Sequence, residues 1–218
     1  MPSVRRIAIC IAIVLAMAHF SIAAESANVD AIVNRLQHRY QTTKSFRADF
    51  TDEIIPVGGM KRDRAGTIQY HKGGQMRWEF TGSDPETIVS DGKQLYDYQP
   101  DLNQVLEIPV EKAFRSAPAA AFLLGVGNVK REFEAHAVAN APADSLQHIV
   151  LKSRSGKDGI VELGIDPATS NIVTLKLSDD LGNVSMMRFT NIATDIALDD
   201  KVFAFEVPPG TDIVKPKE

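Results

Sequence analysis

The chain predicts a mainly β, α+β fold, built on one curled antiparallel sheet of about ten or eleven strands. Three observations carry this prediction. Short segments alternate apolar and polar residues with a period of two. Turn dipeptides such as Gly73-Gly74, Asp84-Pro85, Asp91-Gly92 and Pro100-Asp101 punctuate them. No strand–helix–strand rhythm runs through the chain, so neighbouring strands connect by hairpins and pair antiparallel.

In chain order, Val29, Ile32, Val33, Leu36 and Tyr40 recur at helical spacing, which predicts a helix at about 29–43. Ser26 or Asn28 is the expected cap, its side-chain oxygen accepting from a free amide of the first turn. The period then becomes two. Phe46, Ala48 and Phe50 alternate with Arg47, Asp49 and Thr51, starting a strand that runs toward Ile55. Met76, Trp78 and Phe80 alternate with Arg77 and Glu79, and Leu95, Tyr96 and Tyr98 follow the Asp91-Gly92 turn. Between Glu111 and Gly125 the alternation stops, and an alanine-rich segment with Pro118 at a first helical position predicts one or two short helices. Its Phe114, Phe122, Leu123 and Leu124 exceed what so short a helix needs for one buried stripe. Strand patterns resume at about 133–138, 146–153, 160–165, 172–177 and 184–192, with a last short strand near the end.

Residues 1–24 read as a cleaved signal peptide, with Arg5 and Arg6 ahead of the apolar run Ile7 to Ala18 and small residues at Ala23-Ala24. The expected mature protein, residues 25–218, is one exported domain. The single cysteine, Cys10, lies within the leader and outside any lipid-attachment context, so neither disulfides nor thiolate chemistry is expected. Without Arg5 and Arg6 the 24 basic residues fall to 22 against 28 acidic, a charge of about −6 that argues against nucleic acid as a partner. Lys61, Arg62 and Arg64 read as a solvated hairpin turn.

Catalytic chemistry has little support. His38, His71, His136 and His148 form neither HxH nor HExxH, so no metal site is expected, and no cofactor motif is complete. No GxSxG elbow occurs, and Ser90-Asp91-Gly92 reads as a turn. Asp52 and Glu53 are adjacent in a strand and therefore point to opposite faces. A curled sheet must fill its concave side with side chains, helices or a ligand, and the helices here are few. That mismatch favours helices covering an apolar concavity.

The blocks RWEF at Arg77 to Phe80, IVSDGKQLYDYQPDLNQV at Ile88 to Val105, PAAAFLLG at Pro118 to Gly125 and FAFEVPPG at Phe203 to Gly210 occur in an order and spacing that resembles the outer-membrane lipoprotein carrier family, LolA. The resemblance covers nearly all of the expected mature chain. It implies an unclosed antiparallel β-barrel whose apolar cavity lies under lid helices. It also implies a monomeric, non-enzymatic periplasmic chaperone that takes acylated lipoproteins from an inner-membrane ABC transporter to an outer-membrane receptor. A carrier of glycolipid or other free lipid on the same fold is the alternative.

Phe50, Met76, Trp78, Phe80, Tyr96, Phe114, Phe122 and Leu123 are the candidates for the cavity wall and lid, although an aromatic at strand spacing is usually core. Phe122 and Leu123 stand apart because their segment has more apolar surface than its length requires. In one place the chain departs from the pattern. Lys72-Gly73 stands where many members have arginine followed by proline, and that arginine's family role is to hydrogen-bond the lid. Lys72 is thus a gating candidate or an ordinary turn residue, because lysine lacks the planar fork of arginine.

Overall fold

A hairpin needs only a tight turn between two alternating segments, and this chain supplies such turns repeatedly. The computed structural model describes residues 28–82, 84–116, 127–156 and 159–216, without the side chains of 114–116. The leader expected at 1–24 and the whole Pro118 to Gly125 block lie outside these residues.

Strands β1 (Ser45–Ile55), β2 (Arg62–His71), β3 (Gln75–Thr81), β4 (Glu86–Asp91), β5 (Gln94–Gln99) and β6 (Gln104–Pro109) form one meander. Strands β7 (Phe133–Ala137), β8 (Gln147–Ser153), β9 (Ile160–Ile165), β10 (Ile172–Ser178) and β11 (Val184–Thr194) form a second. The last of these pairs with β1 and joins the meanders into one sheet, ordered β12-β6-β5-β4-β3-β2-β1-β11-β10-β9-β8-β7. The described end strands β12 (Asp212–Val214) and β7 do not pair with each other, so the barrel is unclosed.

Among the described residues twelve strands replace the ten or eleven expected, and one pair, β12 with β6, is parallel. The cause is the path of the chain end, which crosses the outside of the sheet before returning along β6. Asn103 anchors that return, its side chain donating to Gly210 O at 2.8 Å and its carbonyl accepting from Asp212 N at 3.0 Å. Alternation reveals that a strand exists but not the direction of its partner.

Helix α1 spans residues 28–42, close to the expected span. Asn28 is already helical and so is not a residue ahead of the first turn. Val29, Ile32, Val33 and Leu36 bury against the aliphatic inner face of β8–β10, where Ile149, Leu151, Val161, Leu163, Ile165 and Ile172 are almost fully enclosed. Each such side chain contributes about 1.5–3 kcal/mol by leaving water. Arg39 pins the helix end to the sheet, donating to Asn171 Oδ1 at 3.0 Å and Thr194 Oγ1 at 2.8 Å. Helix α2 (Val110–Ser116) follows β6 directly, and α3 (Val129–Glu132) precedes β7 with Asn128 capping it by accepting from Arg131 N. No described helix is long and apolar enough to cross a membrane.

The outer face of the other half is dry too. A 3-10 turn at Asp200–Phe203 lies against β3 and β4, fixed by Arg77 Nη1 donating to Val202 O at 3.2 Å. Phe203 is fully buried there, and so are Val89 and Val105.

Candidate functional site

Residues paired across an antiparallel sheet share a face, so the register assigns every side chain. One row runs Phe189–Phe50–Gly66–Phe80–Glu86 across β11, β1, β2, β3 and β4. The next runs Ala48–Ile68–Trp78–Ile88–Asp97–Leu106, and the one after it Phe46–Tyr70–Met76–Ser90–Leu95–Ile108. All three face inward, on the side that carries α1, and together they make an aromatic wall.

Phe50 is the centre of that wall. Its ring centroid lies 5.2 Å from Trp78 and 5.1 Å from Phe80, the latter edge-on, and Trp78 lies 6.5 Å from Phe189. Gly66 makes this arrangement possible: a Cβ there would sit 2.9 Å from the tip of the Phe50 ring. The absent side chain lets Phe50 lie over β2 and reach Phe80. Met76 packs in an adjoining cluster with Tyr70, Leu95 and Val110, the first residue of α2. Phe50, Met76 and Phe80 are buried and Trp78 is half-buried, so the described residues of the wall are closed by one another.

A charged border lies along one end of the wall. Arg64 bridges Asp52 Oδ2 at 3.2 Å and Glu86 Oε2 at 2.8 Å, with its guanidinium 4.1 Å from the centroid of Phe80. Asp52 is only 1% exposed and also accepts from Ser185 Oγ at 2.7 Å. Burial, reinforced by the charge of nearby Glu86, pushes the Asp97 carboxyl up to about 6. Four buried polar atoms of this half, Arg64 Nε, Tyr70 Oη, Gln94 Oε1 and Asp97 Oδ1, have no hydrogen-bond partner among the described residues. An unsatisfied buried polar group costs about 1–3 kcal/mol, so this half is less settled than its aliphatic counterpart.

The structure therefore brings four of the sequence-derived candidates, Phe50, Met76, Trp78 and Phe80, onto one face. Tyr96 is a correction. It pairs with Val89 on the opposite face and stacks on Phe205, centroids 5.3 Å apart. The chain end covers that outer surface, which is why an aromatic side chain there is dry without facing the wall. Phe122, Leu123 and the side chain of Phe114 lie outside the described residues.

Lys72 is engaged: its Nζ donates to Gln41 O, in the last turn of α1, at 2.8 Å. Its backbone amide also donates to Lys44 O at 2.8 Å. A cation there satisfies a free helix-end carbonyl and opposes the helix dipole.

Arg64 is the residue that the solvated-turn expectation missed. It lies in β2, and parity could have found it: Arg64, Gly66, Ile68 and Tyr70 share a face, opposite Asp52 by register. Asp52 and Glu53 do point to opposite faces, Glu53 pairing outside with Lys61 at 2.7 Å.

A cavity of about 850 Å³ shares Asp52 and Arg64 with the charged border but is otherwise lined by Thr51, Ala65, Thr81, Gly164, Thr174, Arg188 and their neighbours, and by none of the aromatic candidates. The register puts these six residues in one row on the outer side of the sheet. Among the described residues no three His, Cys, Asp or Glu side chains gather closely enough to hold a metal ion.

Known proteins share both the sequence pattern and the architecture. Residues 41–206 match the family model described as outer membrane lipoprotein carrier protein LolA. The outer-membrane lipoprotein carrier protein of Bordetella avium (strain 197N) is 29% identical over 201 residues, 92% of this chain and 95% of that protein. The protein of the same description from Cupriavidus necator is also 29% identical, over 92% of this chain and 94% of its own length. Among solved structures, an uncharacterized conserved protein from Thermus thermophilus superposes with a TM-score of 0.54 at 13% identity, covering 87% of this chain and 99% of its own. That likeness concerns the fold.

Proposed function

The chain belongs to the LolA family of outer membrane lipoprotein carrier proteins, and from that premise we propose that it is a periplasmic, non-enzymatic chaperone that shields the acyl chains of lipoproteins between the inner and outer membranes. The observation that carries the reading is the inward aromatic wall of Phe50, Trp78, Phe80 and Phe189, bordered by Asp52, Arg64 and Glu86. Such a surface suits an amphiphile, with apolar chains against the rings and the polar junction to the polypeptide at the charged border.

The energetics make an escort necessary. Burying an acyl chain is worth roughly 0.8 kcal/mol per CH₂, so a chain of about sixteen carbons resists exposure to water by on the order of 10 kcal/mol. Release then requires another apolar site that binds at least as well. In this reading an inner-membrane ABC transporter supplies the cargo and an outer-membrane receptor accepts it. Phe114, Phe122 and Leu123 contribute the lid, and Lys72 ties α1 to the turn that follows β2.

Native mass spectrometry of the protein purified gently from periplasm tests the proposal. Bound acylated polypeptide is the expected result. Bound glycolipid or phospholipid in its place would transfer the fold to a free-lipid carrier, and persistent emptiness with a measurable turnover would end both readings.

A further inference from the structure

Two hairpin tips carry apolar residues where turns ordinarily carry polar ones. Val57 and Met60, between β1 and β2, are 65% and 87% exposed, and Leu181, between β10 and β11, is 79% exposed. The tips lie side by side. Asn183 Oδ1 accepts from Val57 N at 3.0 Å, and a Cβ on Gly182 would be 3.1 Å from Val57 Cγ2. Ile55, opposite Val184 at the strand end, is also exposed and makes the apolar surface continuous between the tips. Neighbouring exposed apolar side chains of this kind mark a contact surface.

We propose that these paired tips dip into a lipid surface of uncharged, zwitterionic headgroups. The shape favours lipid over protein, because a projecting tip needs a matching cup on a protein, whereas a bilayer interface closes around any projection. The charges select the headgroup. Lys61 is held by Glu53 at 2.7 Å and Asp63 at 3.4 Å, and Arg62 by Asp84 at 3.5 Å. Asp179 is engaged within its own turn, accepting from Leu181 N and Asn183 N. Asp180 stands exposed beside Leu181. The tips thus offer no surplus cation to draw them to anionic lipid, and attachment rests on apolar area.

The position suits a protein that works between membranes, whatever its cargo. Ile54 pairs with Arg62 and Ile55 with Val184, two and three positions beyond the Asp52–Arg64 pair. Docking through the tips therefore brings the charged border of the inner face toward the lipid headgroups.

Phosphatidylcholine vesicles without lipoprotein test the proposal. Amide hydrogen exchange is followed across the chain in the wild type and in a Met60→Asp/Leu181→Asp double variant. Both substitutions are at exposed tips, so the fold is retained. Slowed exchange at residues 57–61 and at 179–183 is expected in the wild type. At least a tenfold loss of vesicle affinity in flotation is expected for the double variant. No slowing at the tips, slowing only elsewhere, or equal flotation of the two proteins would overturn the proposal, as would tighter binding of the wild type to phosphatidylglycerol vesicles. Because native mass spectrometry reads cargo and these vesicles carry none, either proposal can fail while the other stands.

Discussion

The two halves of the sheet enclose their inner faces differently. Under α1, strands β8 and β9 present Ile149, Leu151, Val161, Leu163 and Ile165, all buried and aliphatic, and pair with each other along their length. Across β2–β5 the inner face is aromatic and sulfur-bearing, and it includes Arg64, Glu86 and Asp97. Among the described residues, four of the five buried polar side-chain atoms without a partner belong to this second half. Aliphatic side chains meshed with a helix make a close-packed solid core. Flat rings with charged residues at their border make a surface that can exchange its own contacts for those of an acyl chain at smaller cost. In the proposed carrier role, the first half holds the fold and the second receives the cargo.

The largest expected effect breaks the solid half. Leu163→Ala removes a fully enclosed side chain from the α1 interface and is expected to cost about 2–5 kcal/mol, read by urea denaturation. Trp78→Leu, on the half-buried ring of the other half, is expected to cost less stability yet weaken uptake of an acylated probe more than Leu163→Ala does. Equal ratios of binding loss to stability loss in the two variants would erase the distinction between the halves.

This division was partly legible in the sequence. Period-two alternation placed Phe50, Met76, Trp78 and Phe80 on one face because each is flanked by a polar residue of opposite parity. Tyr96 defeated the same logic. It adjoins Leu95, so two apolar residues of opposite parity compete for one face, and each found a dry one. The outer face is dry because of Phe203 and Phe205, far along the chain, a non-local arrangement that local periodicity does not encode. Arg64 was obscured for a related reason. Its basic neighbours Lys61 and Arg62 suggested a solvated turn, whereas its partners Asp52 and Glu86 come from two other strands.

A smaller effect sharpens the comparison through pH. Burial and the Glu86 charge raise the folded-state pKa of Asp97 from 3.8 to about 6, so the folded chain holds its proton more tightly than the unfolded chain does. The resulting contribution is fully present below pH 3.8 and is lost as pH rises through about 6. Asp97 is only partly buried, and after solvent screening the effect is about 1 kcal/mol. Asp97→Asn is expected to flatten this part of the stability–pH curve and to leave the protein more stable above pH 6, measured by urea titration at pH 4, 5, 6 and 7. An unchanged slope would mean that the aromatic half does not carry the burden assigned to it.

The smallest expected effect concerns the link between the halves. Lys72 is in the turn between β2 and β3, on the aromatic side, and its ammonium reaches Gln41 O at the end of α1, the helix packed on the aliphatic side. A cation at a helix C-terminus is worth about 0.3–1 kcal/mol, so Lys72→Ala is expected to lower stability by no more than that. Lys72→Arg keeps the charge and is expected to restore most of it. Kinetics decide what the bond is for. If the halves part when cargo enters, removing a strap between them accelerates uptake of an acylated probe in stopped-flow mixing while barely moving the urea midpoint. If uptake is unchanged in Lys72→Ala, the bond is a helix cap alone, and the aromatic half opens without disturbing α1.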